Sequence, residues 1–323
     1  MRRSAVPATF LTLAGLATLR AAPEPTRIIV DGQSRALVVL QPGASEQLAE
    51  AAREMQRLLL QATGATLDIV EQPVDGRIAI HIGRTAVVEA LELDLGDLDG
   101  DGFVIRFPDE RTVVVLGPTD WGTEFGIYEF LERYVGVRWL FPGKLGEHVP
   151  LHPTLSVPAV EVRDEPAFFS RQMSGLRGRD QFSWAGRNRM HGRIQFHHNL
   201  IKLFPPETYT KTHPEFFPIQ NGKRFLPETN KTHHWQPCYT APGLVDEAVK
   251  NINAYFDAHP DAPSYSLRAN DSSGYCACDA CVKQINGEDN FLGRKDYSDL
   301  YYDWCNRVID AVLKEYPDKV FGC

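Results

Sequence analysis

The sequence predicts an α/β protein in two parts, a small α/β sandwich over residues 23–158 and the opening portion of a β/α barrel over residues 159–323. Three observations predict it. Short β-branched runs alternate with amphipathic helical stretches as far as Pro158, a proline-rich connector follows, and beyond it the rhythm lengthens to strand, long crossover, strand. A chain of 323 residues has room for two domains, and 43% hydrophobic with 24% charged residues is the balance of a soluble globular protein, not a disordered one.

The chain opens with a leader. Arg2 and Arg3 precede an apolar run from Ala5 to Leu19, and Ala21 and Ala22 stand before Pro23, so residues 1–22 read as a secretory signal. The run is too short for a comfortable membrane span, and no later segment approaches one. The expected mature chain is therefore exported, secreted or periplasmic, without membrane insertion.

In the sandwich, TRIIVDG and ALVVLQP are strands, and Ser45 then announces a helix. Leu48, Ala51, Ala52, Met55, Leu58 and Leu59 share one face of it, and Gly64 supplies its C-terminal cap. TLDIV, RIAIHIG, GFVIRF and RTVVVLG are further strands, and a second helix runs from about Thr119 to Val135 with Phe125, Tyr128, Leu131 and Val135 inward. Asp97–Gly102, DLDGDG, copies the start of a calcium loop, but its twelfth position is Pro108 where a bidentate Glu is required, so a turn before a strand suffices. Pro153, Pro158 and Pro166 mark the connector, because proline fixes φ and removes a backbone donor.

Beyond the connector, candidate barrel strands are FFSRQMS, IQFHHNLI, WQPCYT, SYSLRAND and the final KVFGC. A closed barrel needs eight strands, so the pattern predicts a partial barrel, truncated at the C-terminus; a complete, smaller α/β domain is the alternative. Asp and Glu outnumber Lys and Arg, 42 to 34, and a net charge of -8 excludes a general affinity for nucleic-acid backbones.

The run GTEFGIYEFLERYVGVRWLFPG, residues 122–143, resembles the end of the small α/β domain, like domain 2 of β-hexosaminidases, that precedes the barrel in α-glucuronidases and β-hexosaminidase-like glycosidases. HPEFFPIQNGKR at 213–224, QPCYT at 236–240 and SLRANDSSGYCACDAC at 266–281 resemble the exported bacterial family called domain of unknown function 4838. The resemblance implies a glycosidase-type (β/α)8 TIM-type barrel behind an α-glucuronidase N-terminal-like domain, with a carbohydrate as partner. An exported glycoside hydrolase-like protein, cleaving O-glycosidic bonds of a polysaccharide or oligosaccharide, with α-glucuronidase-like cleavage as the finer expectation, is the expected function. A noncatalytic carbohydrate-binding protein with a degenerate barrel is the alternative.

Asn270 and Asp271 close the candidate strand SYSLRAND, and barrel enzymes place their chemistry at strand C-termini. Glycoside hydrolysis needs one carboxyl group to protonate the leaving oxygen and, in most families, a second to attack or to activate water. Asp271 is the candidate acid, and Asn270 the residue that would bind a sugar hydroxyl, as in the Asn-Glu pairs of glycosidase barrels. The same five residues, Asn-Asp-Ser-Ser-Gly, also make a good turn. Asp180, Glu207, Glu215 and Glu228 offer no convincing second carboxylate.

Arg171, Arg177, Arg179, Arg187, Arg189 and Arg193 crowd together with Trp184. A guanidinium fork fits the carboxylate of a uronic acid and an indole face fits a sugar ring; the competing account is helix-surface pairing with carboxylates. Related barrels favour Arg171 as the substrate-binding member. The family's His-Asn step favours His198 over His197 as a substrate-facing histidine. Cys276, Cys278 and Cys281, with Cys238 as a fourth, form either a closed structural zinc shell or disulfides, and no cofactor is expected in catalysis. In both cases the cysteines brace the loop after Asp271.

Overall fold

The computed structural model describes residues 24–285, 287 and 289–323, so the expected leader over residues 1–22 lies outside the described residues. The chain forms two compact units. The first comprises the chain up to Ala167 together with Gly175–Arg189, and the second comprises Phe168–Ser174 together with Met190–Cys323.

The first unit is a mixed six-stranded sheet in the order Val162–Asp164, Phe103–Asp109, Thr112–Leu116, Ile78–Ile82, Ala36–Leu40, Ile69–Val70. The strands from Thr112–Leu116 to Ile69–Val70 pair in parallel, and the other two pairings are antiparallel. A separate antiparallel sheet joins Leu155–Val157, Thr26–Val30 and Gln33–Ser34. The expected helix spans Glu46–Thr63, with Ser45 accepting the Leu48 N–H and Gly64 closing it in the left-handed region at φ 77°. Those two caps satisfy backbone groups that every helix end leaves over.

The second expected helix covers Asp120–Phe130 and widens into a π-turn over Leu131–Val135. Gly122 in its first turn leaves no room for a side chain, because a Cβ there would collide with the Gly102 carbonyl. Both helices press Leu48, Met55, Leu59, Phe125 and Leu131 onto Val38, Ile80 and Val115 of the sheet. Each such side chain, fully buried, contributes about 1.5–3 kcal/mol. The Asp97–Gly102 segment is a turn, with Gly102 N–H donating to Asp99 O at 2.8 Å.

The second unit is helical around one parallel strand pair, Ser264–Ser266 beside Val320–Gly322. Helices Leu244–Ala258 and Ser298–Val312 pack over a core of Phe204, Phe216, Trp235, Tyr239, Phe256 and Trp304. Three of the expected strands, 168–174, 194–201 and 235–240, do not form ladders, and SYSLRAND is strand only as far as Ser266. The reasons are local. Gln195 and His197 give their N–H groups to the hydroxyls of Ser264 and Ser266, so side chains stand in for a neighbouring strand's carbonyls. In the third segment Pro237 has no N–H, and Cys238 N–H turns away to Phe216 O at 2.8 Å.

Candidate functional site

The second unit contains an open cleft of about 890 Å³ beside Asn270 and Asp271. Its floor is the turn that follows the strand Ser264–Ser266. Asn270, 4% exposed, gives both ends of its amide to the main chain: Oδ1 accepts the Ile201 N–H at 2.8 Å and Nδ2 donates to Trp235 O at 3.1 Å. Gln236, fully buried, donates from Nε2 to Asn270 O and Ser272 O, and its Oε1 accepts the Asn270 N–H. Asn270 is thus the anchor of the turn, and its side chain is already engaged. Ser272 N–H donates to Asn270 O at 2.7 Å and Gly274 N–H to Ser272 Oγ at 2.9 Å, which completes a tight, self-bonded turn.

That anchoring leaves the next side chain outward. Asp271 stands 87% exposed on the cleft, with His198 Nε2 4.0 Å from its Oδ1. The other ring nitrogen of His198, Nδ1, lies 2.5 Å from Ala269 O, a bond that only a protonated Nδ1 can make. In neutral His198 the proton is therefore on Nδ1 and Nε2 is left as an acceptor facing Asp271. Tyr275 and Tyr297 stack with ring centroids 4.4 Å apart and form an aromatic wall; Arg294 and Lys295 line the cleft opposite in charge to Asp271. Among the described residues, Asp271 is the single carboxylate on the cleft lining.

The other carboxylates have local duties. Glu207 accepts the Asn230 N–H, a bond that holds its carboxyl below the usual range, and Glu215 pairs with His213 at 3.0 Å. Arg171 donates to Phe168 O at 2.6 Å from a segment that is not a strand. Trp184 belongs to the first unit, on helix Gly178–Arg187, where its Nε1–H donates to Trp139 O at 3.0 Å. On and beside the same helix Arg179 pairs with Glu50, Arg187 with Glu54, and Arg189 with Glu129 and Glu132. Three of the six arginines, Arg179, Arg187 and Arg189, are therefore matched by carboxylates of their own unit. The structure brings Asn270, Asp271 and His198 together and leaves Arg171 and Trp184 off the cleft lining.

Behind the turn the four cysteines converge. The sulfurs of Cys238, Cys276, Cys278 and Cys281 all lie within 4.8 Å of one another, and all six cysteines of the chain are free thiols. Cys276, held by the Ile219 N–H at 3.2 Å, follows the cleft turn directly, and Cys278 caps helix Asp279–Gln284. Hydrogen bonds from Cys276 and Cys281 draw the Cys238 thiol well below its ordinary value. Gln236 is the residue that sequence reasoning missed; its signal was a polar side chain immediately before Pro237 in an otherwise apolar run.

The fold and cleft define a mixed α/β protein in which two stretches of the sequence match two family models. Residues 141–323 match the model described as "Domain of unknown function (DUF4838)", and residues 29–130 match "Glycosyl hydrolase family 67 N-terminus". The first match covers more than half of the chain, and the chain belongs to that domain-of-unknown-function family.

Among solved structures, the chain is similar to the family GH115 4-O-methyl-α-glucuronidase BtGH115A, with 13% identity over 91% of this chain and 42% of that one and a TM-score of 0.48. It is similar to the chitobiase of Flavobacterium johnsoniae, with 10% identity over 91% of this chain and 50% of that one and a TM-score of 0.41. The GH20 exo-β-N-acetylglucosaminidase of Vibrio harveyi, solved in complex with N-acetylglucosamine, shares 13% identity over 99% of this chain and 56% of that one, with a TM-score of 0.37. The chain spans less than two thirds of the length of each of these three. No curated protein matches the sequence. No helix of the described residues is long and apolar enough to cross a membrane.

Proposed function

We propose that the protein is an exported glycoside hydrolase-like protein whose second unit is of β/α-barrel type and whose cleft receives a carbohydrate at Asp271. The observation that carries this reading is the exposed Asp271 carboxylate presented on a rigid, buried Asn270–Gln236 anchor at the cleft. A carboxyl group placed this way can protonate a leaving glycosidic oxygen. The Tyr275–Tyr297 pair offers apolar ring faces to a sugar, and Arg294 favours an acidic one such as a uronic acid, whereas Lys295 is paired with Asp289 at 2.9 Å. The match of residues 29–130 to a glycosyl hydrolase N-terminal model supports the same class.

The test is sugar release from a panel of glucuronylated and acetamido oligosaccharides by the purified protein and by Asp271→Asn. Turnover that vanishes in the variant supports the reading; turnover that survives it removes Asp271 as the acid. One observation favours a second reading. Asp271 has no carboxylate partner on the cleft lining among the described residues, which suits a noncatalytic carbohydrate-binding protein. Saturable glycan binding without hydrolysis, by both forms of the protein, would select it.

A further inference from the structure

We propose that Cys238, Cys276, Cys278 and Cys281 hold one zinc ion as a closed four-thiolate shell that pins the cleft turn to the core of the second unit. The proposal does not depend on what the cleft binds.

Geometry leads to it. Cys238 Sγ lies 3.7 Å from Cys278 Sγ and 3.8 Å from Cys281 Sγ. Four sulfurs arranged tetrahedrally at the zinc–thiolate distance of about 2.3 Å stand about 3.8 Å from one another. A covalent sulfur pair needs about 2.0 Å, and each of the four is a free thiol. Four thiols packed edge to edge leave a centre that none of them fills, and a thiophilic cation of tetrahedral preference fits it. Zinc meets that description with no ligand-field penalty and no redox chemistry.

The surroundings suit bound thiolates. Ile219 N–H points at Cys276 Sγ at 3.2 Å, and the Thr240 hydroxyl lies 3.1 Å from Cys281 Sγ and 3.7 Å from Cys278 Sγ. Such donors stabilise the negative charge on metal-bound sulfur. Cys238, Cys276 and Cys281 are buried and Cys278 is half-buried, so four sulfur ligands would complete the shell with no coordination position open to substrate or water. The ion would therefore be structural.

Its role follows from where the ligands come from. Cys238 lies two residues after Gln236, the residue that grips Asn270, whereas Cys276 and Cys278 follow the turn that begins at Asp271, and Cys281 stands on helix Asp279–Gln284. One ion would tie all three segments together and fix the height of the cleft floor.

The experiment is metal analysis of the full chain purified without chelator in buffer supplied with zinc. Elemental mass spectrometry should find one zinc per chain, and zinc-edge X-ray absorption should give four sulfur neighbours at about 2.3 Å. Thiol alkylation should modify fewer cysteines before chelation than after, by four. Cys276→Ser should lose the zinc whereas Cys305→Ala, a buried thiol outside the cluster, should keep it. The proposal is overturned if the protein carries no metal, if it carries iron in stoichiometric amount, or if mass spectrometry of unreduced peptides shows these cysteines joined as disulfides.

Discussion

Gln236 and Asn270 close a two-bond ring: Gln236 Nε2 donates to Asn270 O at 2.7 Å, and Asn270 N–H donates to Gln236 Oε1 at 3.0 Å. Both side chains are buried, and Asn270 adds bonds to Ile201 and Trp235, so one short stretch of polar atoms joins three separate segments inside an apolar core. Buried polar groups in such a network are bound tightly because the alternative, an unpaired donor or acceptor away from water, is expensive.

Asn270→Leu should therefore destabilise the protein strongly. The substitution strands the Ile201 N–H and the Trp235 carbonyl, at about 1–3 kcal/mol for each unsatisfied group. Urea denaturation followed by tryptophan fluorescence measures it. A midpoint equal to that of the wild type would show that the anchor does not exist.

Asp271→Asn should behave in the opposite way. Its side chain is solvated, so stability should stay within about 0.5 kcal/mol of the wild type. Any glycosidase turnover should fall by about 10²-fold or more, the usual contribution of a positioned acid. Parallel melting curves and rate measurements separate the two effects, and a large drop in melting temperature would place Asp271 among the structural residues instead.

Gly274 should resist even the smallest side chain. A Cβ there would press on the His234 carbonyl and come within 2.6 Å of the Gln220 amide nitrogen, and neither the backbone nor the doubly bonded Gln220 side chain can retreat easily. Overpacking of this kind costs about 1–3 kcal/mol. Gly274→Ala should lower the melting temperature, and an unchanged melting curve would mean that the turn has room to move.

His81 gives the first unit a pH dependence. It is 1% exposed on strand Ile78–Ile82, with Nδ1 2.9 Å from the Thr85 hydroxyl, and burial holds its pKa below the ordinary value of 6.5. Between that lowered folded value and 6.5 the unfolded chain binds a proton that the folded chain does not, so stability rises with pH across that window. Acidification from above 6.5 should thus weaken the fold progressively until the folded value is passed. Urea midpoints at several pH values for wild type and His81→Gln test this, because the other titrating groups cancel in the difference. Identical pH slopes in the two proteins would exclude it.

The sandwich was legible because its determinants are local. Ser45, the apolar stripe through Leu59 and Gly64 each act within a turn or two of where they stand, and the observed helix Glu46–Thr63 follows from them. The strand runs of the first unit are β-branched and bounded by turns, and each of them formed a strand. The second unit was harder for a physical reason. An apolar segment such as WQPCYT announces burial, but burial does not say whether its backbone pairs with a strand or with a serine hydroxyl, a glutamine amide or a distant carbonyl. The arginine cluster was similarly ambiguous, since its partners Glu50, Glu54, Glu129 and Glu132 lie far off in sequence.

By itself the sequence determined the α/β character of the chain, the helix and strands of its first unit, and the grouping of a polar turn with a knot of cysteines around Asp271. Tertiary structure alone decided that Asn270 faces inward while Asp271 faces the cleft, that Trp184 serves the first unit, and that Cys238 joins three thiols some forty residues away in sequence. The division has one cause. Caps, stripes and turns are set by neighbours along the chain, whereas the direction of a side chain after a strand ends depends on which distant groups arrive to satisfy the one before it.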